Sequence, residues 1–106
     1  MIRSGCTVTI PTGIAIELQP GTEAQVRPRS SISKRGLLVH LGTVDNGYRG
    51  EIGVIVSNIS NYSAVIRPGD RIAQLVVAPV LYPKFREAEE LSETERGEGG
   101  FGSTGI

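Results

Sequence analysis

The chain contains no tryptophan and only one cysteine (Cys6), one histidine (His40) and one methionine, and its remaining aromatics are three tyrosines and two phenylalanines. A lone cysteine excludes an intramolecular disulfide framework, and no Cys/His cluster has the spacing of a structural zinc site. A reducing, cytoplasmic setting is therefore expected. Net charge is missing as well: eleven basic residues cancel eleven acidic ones, so no overall field favours nucleic acid or an anionic membrane surface. Any anion must be bound locally. No apolar stretch approaches the ~20 residues of a membrane span, and the first residues lack the apolar run of a signal peptide. Partners of both kinds, nucleic acid and membrane, are thus not expected. Helical periodicity between the apolar runs is also absent, which excludes a βαβ sheet.

What is present up to about Tyr82 is a series of short apolar runs with period-two alternation, separated by Gly, Pro and Asn. Thr7 to Ile10 leads into the Pro11-Thr12-Gly13 turn, and Ile14, Ile16 and Leu18 then alternate until Pro20-Gly21. Ala24 and Val26 continue the pattern, followed by Leu37 to Leu41, by Ile52, Val54 and Val56, and by Arg71 to Val80. Asn46-Gly47 predicts a hairpin because both residues tolerate positive φ. Asn58 and Asn61 flank a further turn, and Arg67-Pro-Gly-Asp70 makes another. Turns recurring every eight to twelve residues predict an all-β sandwich or barrel. At 106 residues one such domain buries a modest core, so self-association would help to stabilise it.

The last quarter changes character. Phe85-Arg-Glu-Ala-Glu-Glu-Leu91 reads as a solvated connector, with one or two helical turns as the alternative, and Ser92 to Arg96 continues it. Gly97 to Gly105 holds five glycines in nine residues and can pack no core of its own, so it is expected to be mobile until a partner orders it. The expected organisation is a β domain over residues 1–91 and a Gly-rich tail over 92–106.

Four segments carry chemistry. The tail combines the Arg96 guanidinium, unobstructed glycine N–H groups, the hydroxyls of Ser103 and Thr104 and the Phe101 ring, which are the parts of a nucleotide clamp. It is not a Walker loop, because no lysine follows the glycines. The segment Gly42-Thr-Val-Asp-Asn-Gly-Tyr-Arg-Gly-Glu51 carries a carboxylate, Asp45, able to polarise a water, and a phenol, Tyr48; a plain turn former and a half-buried strand aromatic are their ordinary alternatives. Pro28-Arg-Ser-Ser31 offers charge beside hydroxyls, suited to phosphate oxygens. In Gly69-Asp-Arg-Ile-Ala-Gln-Leu75 the Gln74 amide sits among apolar neighbours in sequence and needs a partner or a ligand, while Asp70 and Arg71 are expected to cap a turn and pair with each other. His40 is read as structural and Cys6 as inert.

In this order, Arg-Ser-Ser, Gly-Thr-Val-Asp-x-x-Tyr-Arg-Gly-Glu, Gly-Asp-Arg-Ile-Ala-Gln-Leu and Arg-Gly-x-Gly-Gly-Phe-Gly-Ser-Thr-Gly resemble the second to fifth motifs of the trimeric dUTPases, over about residues 10 to 105. The resemblance implies a jelly-roll-like β barrel and a homotrimer with shared active sites. It implies a hydrolase of nucleotide metabolism that converts dUTP to dUMP and pyrophosphate. Asp45 would be the base for the water attacking the α-phosphorus, and Tyr48 would pack on the deoxyribose and exclude a 2′-hydroxyl. Uracil would be read by Gly42, Thr43, Val44 and Asp45 with Gly53. Arg29, Ser30, Ser31 and Gln74 would hold phosphates, Arg96 would reach the terminal phosphate, and Phe101 would stack on uracil with Gly102 beside it. Magnesium would be held mainly by the triphosphate and waters, with no residue of the chain identified as a direct ligand. The tail would close over a neighbouring subunit's nucleotide.

Two departures from the family pattern stand out. Ser31 replaces the usual glycine, and the family's first motif, an Ala-Gly-x-Asp-Leu strand ahead of the Ile-Pro-Thr-Gly region, has no counterpart in Met1 to Thr9. The alternative to an enzyme is accordingly a nucleotide-binding or regulatory module without turnover. A dCTP deaminase would need an additional acid and an arginine arrangement near Asp45 that this sequence does not show.

Overall fold

The computed structural model of the chain describes residues 1–99. Six strands and one short helix follow in the order β1 (Thr7–Pro11), β2 (Thr22–Pro28), α1 (Ser30–Ser33), β3 (Leu37–Val39), β4 (Gly42–Val44), β5 (Gly53–Asn58) and β6 (Ala73–Pro79). They form two antiparallel three-stranded sheets, ordered β1-β5-β3 and β4-β2-β6, in a jelly-roll-like all-β fold.

Alternation explains the packing. In β5, Val54, Val56 and Asn58 point inward while Gly53 and Ile55 face out. Val8 lies opposite Val56 and Ile10 opposite Val54 in β1, and Leu37 and Val39 complete the same inner face from β3. Ala24, Val26 and Val44 supply the inner face of the second sheet, and Ile2, Ile32, Ile52, Ala64 and Ile72 fill in from the connections. Burial of this kind stabilises by about 25 cal/mol per Å² of apolar surface.

One buried amide organises the corner where the chain enters. Asn58, 1 % exposed, donates from Nδ2 to the carbonyls of Ile2 (2.9 Å) and Tyr62 (2.7 Å). Its Oδ1 accepts from the Ser60 N–H and hydroxyl at 3.0 and 2.7 Å. A buried polar side chain with every partner supplied stabilises one arrangement of three chain segments.

Several expectations are corrected. Asn46-Gly47 forms a turn, with the Tyr48 N–H donating to Asp45 O at 3.0 Å, but not a hairpin: β4 pairs with β2, whereas β5 belongs to the other sheet. Among the described residues no non-glycine takes a positive φ, and Gly47 is not among the glycines that do. Ile14, Ile16 and Leu18 do not form a strand either. The segment is tied to the sheet at one point, by the Ile52 N–H donating to Ile14 O, and leans Ile16 and Leu18 on the core. Helix α1 was not anticipated; its single turn is anchored by buried Ile32. The segment from Phe85 to Leu91 carries no helix and is exposed throughout, as the connector reading has it.

From Leu81 onward the described chain leaves the sandwich. The radius of gyration is 19.2 Å, against about 13 Å for a compact domain of this length. Leu81, Tyr82, Phe85 and Leu91 are left with at least 74 % of their surface in solvent. No helix among the described residues is long and apolar enough to cross a membrane.

Candidate functional site

The candidate site residues arrive in two separate groups. The first surrounds a cavity of about 980 Å³, whose apolar floor includes Ile10, Val26, Val54 and Ile72 and whose polar rim includes Arg29, Glu51, Asp70, Arg71 and Gln74. Strands β2 and β6 build this rim, because their register sets Pro28 opposite Ala73 and Arg27 opposite Gln74. Arg29 follows directly at the end of β2, in extended conformation (φ −110°, ψ 141°). Its Nε is buried yet has no hydrogen-bond partner among the described residues. A buried guanidinium N–H without an acceptor is costly, and an anionic oxygen would satisfy it.

Gln74 is exposed rather than embedded among apolar side chains, and it donates to Pro28 O at 3.1 Å. The amide therefore adds a side-chain tie from β6 to the end of β2, which presents Arg29. Ser30 and Ser31 are exposed on α1 immediately after it. Asp70 does not pair with Arg71. Its carboxylate accepts the Arg67 N–H at 2.8 Å and closes the Arg67–Asp70 turn; the ion pair among the described residues joins Arg49 to Glu17 instead.

The second group sits on β4 and the turn after it. Gly42 is half-buried, Thr43 exposed and Val44 buried, and Gly42 faces Val26, with room for ordinary contact only. Asp45 is exposed, and no protein group among the described residues bonds its carboxylate. Tyr48 donates its hydroxyl to Glu51 O at 2.7 Å. Gly53 is exposed on β5, where an added Cβ would lie 2.8 Å from Thr9 Cγ2. Neither Asp45 nor Tyr48 lines the cavity that contains Arg29 and Gln74.

Further residues do work that sequence reading missed. Asn46 donates to Gln19 O and Thr22 O, and Glu51 accepts the Gly13 N–H at 2.6 Å. Contacts between side chains and backbone more than twenty residues away leave no periodic signal. His40 meets Ser57 Oγ at 2.7 Å on the sheet surface, consistent with its structural reading. Arg96 donates to Gly99 O at 2.6 Å; Phe101, Gly102, Ser103 and Thr104 lie outside the described residues. No group of three or more His, Cys, Asp or Glu side chains able to hold a metal occurs among the described residues.

A sequence model of the dUTPase family matches residues 1–105. The chain belongs to the dUTPase family. Among curated relatives, it is 53 % identical over 108 residues to the deoxyuridine 5'-triphosphate nucleotidohydrolase of Crocosphaera subtropica, covering 99 % of this chain and 76 % of that protein. It is 52 % identical over 109 residues to the enzyme of the same name from a Hydrogenobaculum species, covering 100 % and 76 %. Among solved structures, the dUTPase of Staphylococcus bacteriophage 80alpha with dUPNHPP superposes with a TM-score of 0.86 at 27 % identity, over 99 % of this chain and 79 % of that one. This dUTPase-family chain thus spans about three-quarters of the length of these relatives.

Proposed function

We propose that this member of the dUTPase family hydrolyses dUTP to dUMP and pyrophosphate, with Asp45 as the base. The observation carrying this reading is the Asp45 carboxylate, exposed and without a protein partner among the described residues, on a turn closed by the Tyr48 N–H. Such a carboxylate can accept a proton from water as the water attacks the α-phosphorus, and it keeps that water oriented. Tyr48, held by Glu51, packs on the deoxyribose, where a 2′-hydroxyl would collide with the ring.

The β4 backbone from Gly42 to Asp45, together with Gly53, reads the uracil edge. A cytosine amino group would reverse the hydrogen-bond pattern and leave buried backbone groups unpaired. Arg29 takes a phosphate oxygen on its unsatisfied Nε, Ser30 and Ser31 donate hydroxyls beside it, and Gln74 keeps the end of β2 in place. Arg96 and the tail residues Phe101 and Gly102 close over the phosphates and base.

Magnesium fits this site as a companion of the triphosphate, whose oxygens and waters would hold it. When bound, it neutralises phosphate charge.

The assembly in this reading is a homotrimer. Asp45 and Tyr48 stand apart from the Arg29 cavity on one chain, so a complete site takes one group from each of two subunits. The exposed Leu75 and Val77 on β6 and the exposed arm residues Leu81, Tyr82 and Phe85 are surfaces that subunit contact would cover.

The test is pyrophosphate release by the purified chain from dUTP, with dTTP, dCTP and UTP as controls, in the presence of magnesium. Selective turnover of dUTP, slowed roughly 10²- to 10⁴-fold by Asp45→Asn with binding retained, is expected. Tight dUTP binding without turnover would assign the chain to a regulatory role.

A further inference from the structure

The register of β2 on β4 pairs Val26 with Gly42 and Ala24 with Val44. Two residues further on, the same register brings Asn46 opposite Thr22, where the backbone ladder has already ended. The Asn46 side chain takes over from the backbone. Its Nδ2 donates to Thr22 O at 3.1 Å and to Gln19 O at 2.7 Å, so both amide protons are spent on main-chain carbonyls. Facing two carbonyl oxygens, that atom must be the amide nitrogen.

Gln19 O is also the acceptor that shapes the neighbouring turn, receiving the Thr22 hydroxyl at 2.7 Å and the Thr22 N–H at 3.3 Å. A second tie runs parallel to the first. Arg49 donates from Nη1 to Asn46 O at 2.9 Å and from Nη2 to Glu17 Oε1 at 3.3 Å. Asn46 is half-buried, whereas Asp45 and Gly47 on either side are exposed. The turn bearing Asp45 is therefore clipped at its centre to the segment that begins β2, and the far end of β2 delivers Arg29.

We infer that Asn46 is a positioning residue for the reaction. Resting on the reading of Asp45 as the base, it holds that carboxylate where the attacking water must be, without touching substrate itself. A residue next to the base whose own side chain is tied to rigid backbone converts a floppy turn into a preorganised one.

The test is a double-mutant cycle with dUTP and magnesium, using Asn46→Ala, Asp45→Asn and the double variant of the full chain. Asn46→Ala should lower kcat roughly 10- to 100-fold, the scale of a small misplacement, while KM stays within about threefold. The double variant should be no slower than Asp45→Asn alone to within about twofold, because Asn46 acts through Asp45. Unchanged kcat in Asn46→Ala, or losses that multiply in the double variant, would overturn the inference.

Should Asn46→Ala fail to fold, Asn46→Asp keeps the shape and removes both donors, and the same cycle applies. Misfolding of that variant too would overturn the inference by making Asn46 a residue of the fold. If the parent chain releases no pyrophosphate, the enzyme reading fails by itself. The clip is then judged by amide exchange at Tyr48, which must quicken at least about tenfold in Asn46→Ala, and an unchanged rate would sink it.

Discussion

The Tyr48 ring lies over Gly50 so closely that a Cβ added at Gly50 would stand 2.5 Å from the Tyr48 hydroxyl oxygen. The same hydroxyl donates to Glu51 O at 2.7 Å. A side chain at position 50 would thus have to displace the Tyr48 ring, which folds back over its own backbone. Gly50→Ala should leave the fold intact and push the ring aside. The expected outcome is a loss of discrimination between dUTP and UTP, by about tenfold for a steric contact worth 1–2 kcal/mol, measured as the ratio of their kcat/KM values.

Arg29 offers the second prediction. Its buried Nε has no acceptor among the described residues, so removing the side chain relieves an unsatisfied group in the unliganded protein while deleting the charge-assisted bond to phosphate proposed for it. Arg29→Ala should bind a non-hydrolysable dUTP analogue roughly 10- to 100-fold more weakly, the equivalent of 1.5–3 kcal/mol. Thermal stability should be unchanged or slightly raised. Calorimetric titration and a melting curve read the two effects separately.

Asn58 should behave in the opposite way. Replacing it with leucine removes one of two donors from each of the Ile2 and Tyr62 carbonyls, which keep the Ala64 N–H and the Ser60 hydroxyl respectively, and leaves the Ser60 N–H without its acceptor. The cost should be about 3 kcal/mol, since an unpaired N–H costs roughly 1–3 kcal/mol and each further hydrogen bond lost roughly 0.5–1.5 kcal/mol. Denaturant unfolding at constant protein concentration measures it.

Leu37 tests the sandwich core. It is 1 % exposed and is one of the largest fully buried side chains. Leu37→Ala should destabilise by about 2–5 kcal/mol through lost transfer energy and the cavity left behind. A much smaller loss in chemical denaturation would mean that the corner around β3 collapses to fill the space.

Legibility in the sequence followed the range of each interaction. The alternation of Ile52, Val54 and Val56 identified β5 because a strand with one dry face must bury every second residue. Pro-Gly at Arg67–Asp70 identified a turn because Gly69 takes a φ of 90° that other residues avoid. Asn46-Gly47 was legible as a turn but misread as a hairpin, since a local signal says that the chain bends and not which strand it meets next. Ile14 to Leu18 alternate as a strand would, yet no strand among the described residues pairs with them, and pairing is a property of the neighbour.

The sequence by itself determined the all-β class, the turn positions and the ordered motifs that mark the family, because propensity, alternation and motif chemistry are written in adjacent residues. Only the tertiary structure decided that β4 and β5 part to different sheets. It alone also showed that Asp45 stands apart from the Arg29 cavity, and that Asn46 spends its amide on carbonyls at positions 19 and 22. Those relations depend on strand register, which is set by the burial of both sheets at once and is written in no single stretch of chain.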